Sequence, residues 1–169
     1  MFNLSKLFVG AQSSAWGLRK LNFVLHRGIP FNAPHKISIV QVSDKEVRVA
    51  VPYIKKNLNH LKGIHACCLA TVAEYTTGLV MLNALDPQKY RLIMQSIEVS
   101  YFYQAKGPVE AKFSISDSDM RDKIIAPLEK EGVVMYRCEI LIHDLEGNHI
   151  CTGKINWQIK QWSKVKTKV

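Results

Sequence analysis

Within the apolar run GIHACCLATVAEYTTGLVML, residues 63–82, Glu74 is the only carboxylate. Ionised carboxylates are almost never fully buried unless paired, and no Lys or Arg lies within one turn of it on the run. A carboxyl among apolar side chains has its pKa raised, and can activate water as a general base or attack a carbonyl carbon itself. The alternative is a carboxylate that hydrogen-bonds to backbone or solvent at a helix edge, since structural carboxylates also titrate abnormally. His65 stands at the start of the same run. There a helix offers unpaired backbone N–H groups and a positive dipole end, suited to polarising a carbonyl oxygen and holding the oxyanion that forms on attack.

His65 and Glu74 are nine positions apart. At about 100° per residue this is about two and a half turns, which predicts side chains on opposite sides of the helix and no shared site within one chain. Two copies packed with their central helices antiparallel across a two-fold axis would bring the start of one helix to the middle of the other.

The elements that must position these residues follow from periodicity. Leu4, Leu7, Phe8, Ala11, Ala15, Leu18, Leu21 and Leu25 recur at helical spacing, which predicts an amphipathic helix over about 4–26, broken near Gly10 or Gly17 and ended by Gly28, Pro30 and Pro34. Alternation in 37–43 and 46–54 around Asp44-Lys45 predicts a β-hairpin. A polar loop over 57–62 precedes the long apolar helix, about 64–84, which Asp86-Pro87 closes. Four strands follow, over 92–105, 109–116, 133–145 and 149–162, with a helical insertion between Asp117 and Gly132. A helix apolar nearly all round must be wrapped on several sides, and a curved antiparallel sheet does that. The fold class is therefore α+β, in one domain over 1–169: an N-terminal helix and its Pro/Gly-containing connection (1–35), then a core (36–169).

Composition narrows the partners. With 23 Lys plus Arg against 14 Asp plus Glu the net charge is +9, which favours anionic partners without choosing among them. The first 43 residues hold no acid, so Lys6, Arg19, Lys20 and Arg27 on an apolar pattern raise a transit peptide or a membrane-surface helix beside the preferred reading, a helix packed on the domain. No run is long enough to span a bilayer, and no export signal stands out. Lys160, Lys164, Lys166 and Lys168 read as a solvated basic tail. Tyr101, Phe102 and Tyr103 lack the glycine-aromatic signature of an RNA-binding platform, so no nucleic acid is expected. Cys67, Cys68, Cys138 and Cys151 form no CxxC pair and no zinc-like spacing with histidine. They read as small core residues in a reducing compartment, and the cytoplasm is the expected location. A nucleophilic Cys67 or Cys68 with His65 as base is the less favoured reading, because adjacent side chains rarely form such a relay. No metal site is expected.

The string N-x5-H-x8-E, formed by Asn59, His65 and Glu74 and followed by strands, resembles the hotdog-fold acyl-CoA thioesterases of the phenylacetyl-CoA and 4-hydroxybenzoyl-CoA type. The stretch GIPFNAPHKISIVQVSDKEVRVAVPYIKKNLNHLKGIHA after an N-terminal helix is similar to an uncharacterised branch of that superfamily. The resemblance implies a hotdog fold and a homodimer with a continuous sheet, often paired again into a tetramer. It also implies hydrolysis of an acyl-CoA or acyl-carrier thioester at the subunit interface, with coenzyme A as part of the substrate and no other cofactor. Glu74 matches the catalytic carboxylate, Asn59 the polar residue that orients water or thioester, and His65 the histidine before the helix. Ala66 and Cys67 would offer N–H groups to the carbonyl oxygen, with Gly63 and Thr77 at the substrate. Lys55, Lys56, Lys62, Arg91 and Lys106 are candidates for the phosphates of coenzyme A. Relatives usually have glycine where Ala66 stands and in some cases a hydroxyl where Gly78 stands, so a hotdog protein that binds acyl-CoA or fatty acyl chains without turnover is the alternative.

Overall fold

The computed structural model describes residues 4–166, so the basic tail is described only in part and Lys168 lies outside it. The N-terminal pattern folds as two helices, α1 (Leu4–Ser13) and α2 (Ala15–Gly28). The break falls at Ser14 rather than at either glycine: the Ser14 hydroxyl caps α2 by accepting from the Gly17 N–H at 3.0 Å. Serine competes for backbone donors better as a cap than inside a helix, which is why it ends one helix and starts the next. Leu7, Phe8, Leu21 and Leu25 are buried in the same core as the sheet.

Six strands follow the two helices: β1 (Ser38–Val42), β2 (Glu46–Val51), β3 (Tyr90–Tyr101), β4 (Val109–Ser114), β5 (Val133–Asp144) and β6 (His149–Gln161). They form one antiparallel sheet in the order β1-β2-β4-β5-β6-β3. The long helix α3 (Ala66–Ala84) lies between β2 and β3 in sequence and packs on five of the strands, β2 to β6. This is the α+β hotdog arrangement, a sheet around a central helix. Its close approach depends on Gly153 of β6, where a Cβ would stand 2.8 Å from the Cβ of Ala73. The insertion is helical as expected but irregular, with six residues, Met120–Ile125, in π-helical geometry.

The two edges of the sheet differ. Along β1, Asn22 of α2 accepts from the Ile39 N–H and donates to the Ile39 carbonyl, both at 2.8 Å, and the His26 Nε2–H donates to the Ile37 carbonyl at 2.7 Å. The N-terminal extension therefore covers that edge. The far edge, β3, pairs on one side only, with β6, and presents Ile93, Met94 and Tyr101 to solvent. A twelve-residue open edge with apolar side chains invites another strand.

Candidate active site

Glu74 lies midway along α3, half-buried, in the wall of a cavity of about 370 Å³. Helix residues Thr71, Tyr75, Gly78 and Leu82 line it with Ile29, Phe31 and Asn32 of the segment after α2, Leu92, Met94 and Ile97 of β3, and Trp157 of β6. Burial pushes the Glu74 carboxyl above the ordinary carboxylate range. Its side chain has no ion pair and no hydrogen bond among the described residues. Of the helix-edge alternative, a carboxylate held by backbone or solvent, the backbone bond is not formed among the described residues.

The indole of Trp157 sits beside it. A Cβ at Gly78 would lie 3.1 Å from two of its ring carbons and 4.0 Å from a Glu74 carboxylate oxygen, so glycine at 78 makes room for the ring. Thr77 is fully buried and lines neither this cavity nor the one beside it. Its hydroxyl accepts the Trp157 Nε1–H at 3.0 Å and donates back to the helix. Thr77 thus holds the tryptophan that walls the cavity, where a substrate contact was expected.

A second cavity of about 220 Å³ adjoins the first, with Phe31 and Thr71 in the walls of both. His65, Cys67 and Cys68 line it with His35, Lys56 and Asn57. His65 is the N-cap of α3, in extended geometry at φ −64° and ψ 137°, so the helical period does not govern its direction. His65 and Glu74 therefore open onto neighbouring cavities rather than strictly opposite sides, and neither cavity of the one chain holds both side chains. Within the helix, Cys67, Thr71, Glu74 and Gly78 follow each other at three- and four-residue steps along one face.

The cap also assigns protons. His65 Nδ1 accepts from the Cys67 N–H at 3.1 Å, so the neutral ring carries its hydrogen on Nε2 as an outward donor. The Cys67 N–H is therefore spent, whereas the Ala66 N–H has no partner among the described residues. Ala66 is exposed and lines neither cavity, so its methyl group narrows neither. The Ala66 carbonyl accepts from the Tyr101 hydroxyl at 3.0 Å, which ties the helix start to the end of β3.

Asn59 and Gly63 have another use than the expected one. Asn59 Oδ1 accepts from the N–H groups of Leu61, at 2.9 Å, and Gly63, at 3.1 Å, and the Asn59 N–H donates to the Gly63 carbonyl at 2.8 Å. Neither lines either of these two cavities; together they close the loop that delivers the chain to α3. The residue that sequence reasoning missed is Asn57, 1% exposed. Its Nδ2 donates to the carbonyls of His35 and Pro52, both at 2.9 Å, and its own carbonyl accepts the His65 N–H at 2.7 Å. With both amide hydrogens used, Oδ1 must accept from His35 Nδ1, 2.9 Å away, so the hydrogen of a neutral His35 ring is on Nδ1. Nothing in KKNLN distinguishes Asn57 from Asn59 by composition.

Among the cysteines, Cys138 and Cys151 are buried with thiols pushed up to about 12, and Cys68 is buried at about 11. Cys68 is thus no activated nucleophile. Cys67 is exposed, which corrects its reading as a core residue. Among the described residues no three His, Cys, Asp or Glu side chains converge as a metal cluster, and no helix is long and apolar enough to cross a membrane.

A family profile described as a domain of unknown function, DUF4442, matches residues 17–159. The chain belongs to the DUF4442 family. A Halobacterium salinarum protein described as a candidate esterase is 31% identical to this DUF4442 chain over 83 residues. That match covers 47% of the chain and 55% of the relative, about half of each. Among solved structures, a Pseudomonas aeruginosa protein of unknown function described as a candidate thioesterase superposes with a TM-score of 0.77 at 19% identity, over 83% of this chain and 93% of that one. A thioesterase from Haemophilus influenzae gives 0.67 at 12% identity, over 89% and 94%. A candidate thioesterase from Shewanella oneidensis gives 0.65 at 18%, over 83% and 95%. At these identities the likeness shows the hotdog fold.

Proposed function

We propose that the protein hydrolyses an acyl thioester, with Glu74 as the base and the start of α3 as the site that polarises the carbonyl. The observation that carries this is the unpartnered Glu74 carboxylate in the wall of an apolar cavity, its pKa raised by burial. The similarity of fold to proteins described as thioesterases, and the relative described as a candidate esterase, support the same reaction class.

In this reading the acyl group lies in the apolar cavity and the thioester carbonyl meets the Ala66 N–H and the His65 Nε2–H. Glu74 takes a proton from water as its oxygen bonds to the carbonyl carbon. The resulting oxyanion is held by the two donors and the helix dipole. It collapses with cleavage of the C–S bond, releasing a thiolate that takes up the proton and an acid that carries the water oxygen.

Both halves of the site come together across a homodimer. The two-fold would pair the open β3 edges antiparallel about Ser96 and Ile97. The Tyr101 end of one strand then lies opposite the Leu92–Met94 end of the other. Tyr101 is bonded to the helix start and Leu92 and Met94 line the Glu74 cavity, so each helix start approaches the partner's carboxylate. Acyl-CoA is the thioester the resemblance and the basic charge favour, with acyl-carrier thioesters as the other form, and no metal or redox group takes part.

The test is thiol release from a panel of acyl-CoA thioesters by the wild-type chain and by Glu74→Ala. Turnover by the first and its loss in a folded, dimeric second supports the assignment; equal turnover removes Glu74 from the mechanism. Saturable binding with no release from any thioester would establish the binding-only reading, which the spent Cys67 N–H favours.

A further inference from the structure

The outer face of α2 plays no part in the site. Its inner face carries Leu21 and Leu25 into the core, while Trp16, Arg19, Lys20, Phe23 and Arg27 all stand in solvent. Their spacing of three and four residues places them on one side of the helix. Trp16 is 69% exposed and Phe23 60%, values unusual for the two largest apolar side chains of a helix. Each ring carries its own cation: Lys20 Nζ lies 5.4 Å from the Trp16 ring and Arg27 Cζ lies 5.0 Å from the Phe23 ring. Among the described residues none of Arg19, Lys20 and Arg27 is ion-paired, and the sequence offers no acid before Asp44 to pair them locally.

We propose that this face docks on an anionic lipid bilayer, with α2 lying in the plane of the headgroups. The helix is about 21 Å long at 1.5 Å per residue, and it is anchored by its buried face, so it lies flat without leaving the domain. Aromatic rings settle at the level of the headgroups, where one side is apolar and the other wet. Flexible lysine and arginine stems let their charges swing from the ring faces to lipid phosphates as the rings enter. The charge selects the surface: three unpaired cations with no acid between them fit a negative bilayer and have nothing to gain from a neutral one. Docking leaves the β3 edge and the Glu74 cavity where they are, so it is independent of the proposed hydrolysis.

The experiment is sedimentation of the full chain with vesicles of phosphatidylcholine alone or with about a third phosphatidylserine, at about 0.1 M salt. Binding to the anionic vesicles that weakens as salt is raised, with little to the neutral ones, is expected. Arg19→Gln/Lys20→Gln/Arg27→Gln should lower the partition on the order of a hundredfold, since each cation near the surface is worth close to a factor of five. Trp16→Ser/Phe23→Ser should lower it as well while leaving the charge intact. Both variants keep the buried face of α2, and circular dichroism and size-exclusion chromatography confirm that they fold. Equal binding to both vesicle types, binding that neither variant weakens, or no sedimentation at all overturns the proposal. So does loss of the dimer in the Trp16→Ser/Phe23→Ser variant, which would make this face a contact between copies of the chain.

Discussion

Replacing Glu74 by glutamine keeps the shape and removes the charge, and the proposed role and the burial of the carboxyl predict two effects of opposite direction. General-base catalysis contributes about 10²–10⁴ in rate, so kcat for thioester hydrolysis should fall by that factor, roughly 3–5 kcal/mol on the barrier. Stability should move the other way. The folded-state pKa of Glu74 lies above its unfolded value because burial disfavours the charged form. The neutral carboxyl's contribution is therefore fully present below the unfolded pKa and is lost as pH rises through the folded one. Each unit separating the two is worth about 1.4 kcal/mol before solvent at this half-buried group reduces it. Glutamine has no such penalty, so the variant should match the wild type in acid and exceed it at pH 8.

The assay is urea unfolding of both proteins from pH 4 to 8, with kcat followed over the same range. Wild-type activity should rise with pH through the raised carboxyl pKa to a plateau, and the residual activity of Glu74→Gln should lack that limb. A variant less stable than wild type at pH 8 would refute the reasoning, because the carboxylate would then be held by a favourable partner. Undiminished kcat would refute the catalytic half alone.

Three further substitutions test how the walls are held. Gly78→Ala gains about 1 kcal/mol of helix propensity but sets a methyl 3.1 Å from two Trp157 ring carbons, where overpacking costs about 1–3 kcal/mol. A net loss of up to about 2 kcal/mol and a Tm lower by up to about 8 °C are expected, with a changed near-UV signal from the displaced indole. Thr77→Val leaves the buried Trp157 N–H without its acceptor and should cost about 1–3 kcal/mol in denaturant unfolding; an unchanged midpoint would mean that the hydroxyl does not hold the ring. Asn57→Ala removes three side-chain hydrogen bonds at about 1 kcal/mol each, so Tm should fall by roughly 6–12 °C, and a proton spectrum of the histidines should show His35 freed from its single tautomer.

Periodicity carried most of the fold. The alternation of EVRVAV and the turn at Asp44-Lys45 appear as the β1–β2 hairpin with Val42 opposite Val47, and the unbroken apolar run became α3. Periodicity failed where one residue changes the rule. Ser14 splits an apolar pattern that the two glycines left intact, because a hydroxyl that satisfies a helix N–H leaves no trace in hydrophobic spacing. The same blindness applies at His65, whose cap geometry takes it off the helical wheel. Asn59 drew attention by its spacing from His65 and Glu74, yet the amide that reaches the second cavity is Asn57 two positions earlier. Which of two neighbouring asparagines is buried depends on the carbonyls of His35 and Pro52, and tertiary partners of that kind are not written in local sequence.

Around Glu74 the three threonine hydroxyls of the helix are satisfied. The hydroxyls of Thr71 and Thr76 donate to the backbone carbonyls one turn earlier, and Thr77 serves both the helix and Trp157. A polar group placed for packing alone would be expected to find such a partner, or to be replaced by an apolar side chain at a gain in stability. Glu74 has neither outcome, although the fold brings an indole and a glycine to its side. The same burial that makes the carboxyl a stronger base lowers the stability of the folded chain at neutral pH, so packing supplies no reason to keep it. The proposed hydrolysis, which draws a proton from water in an apolar cleft, would supply one, and it would need the carboxylate unoccupied until substrate arrives.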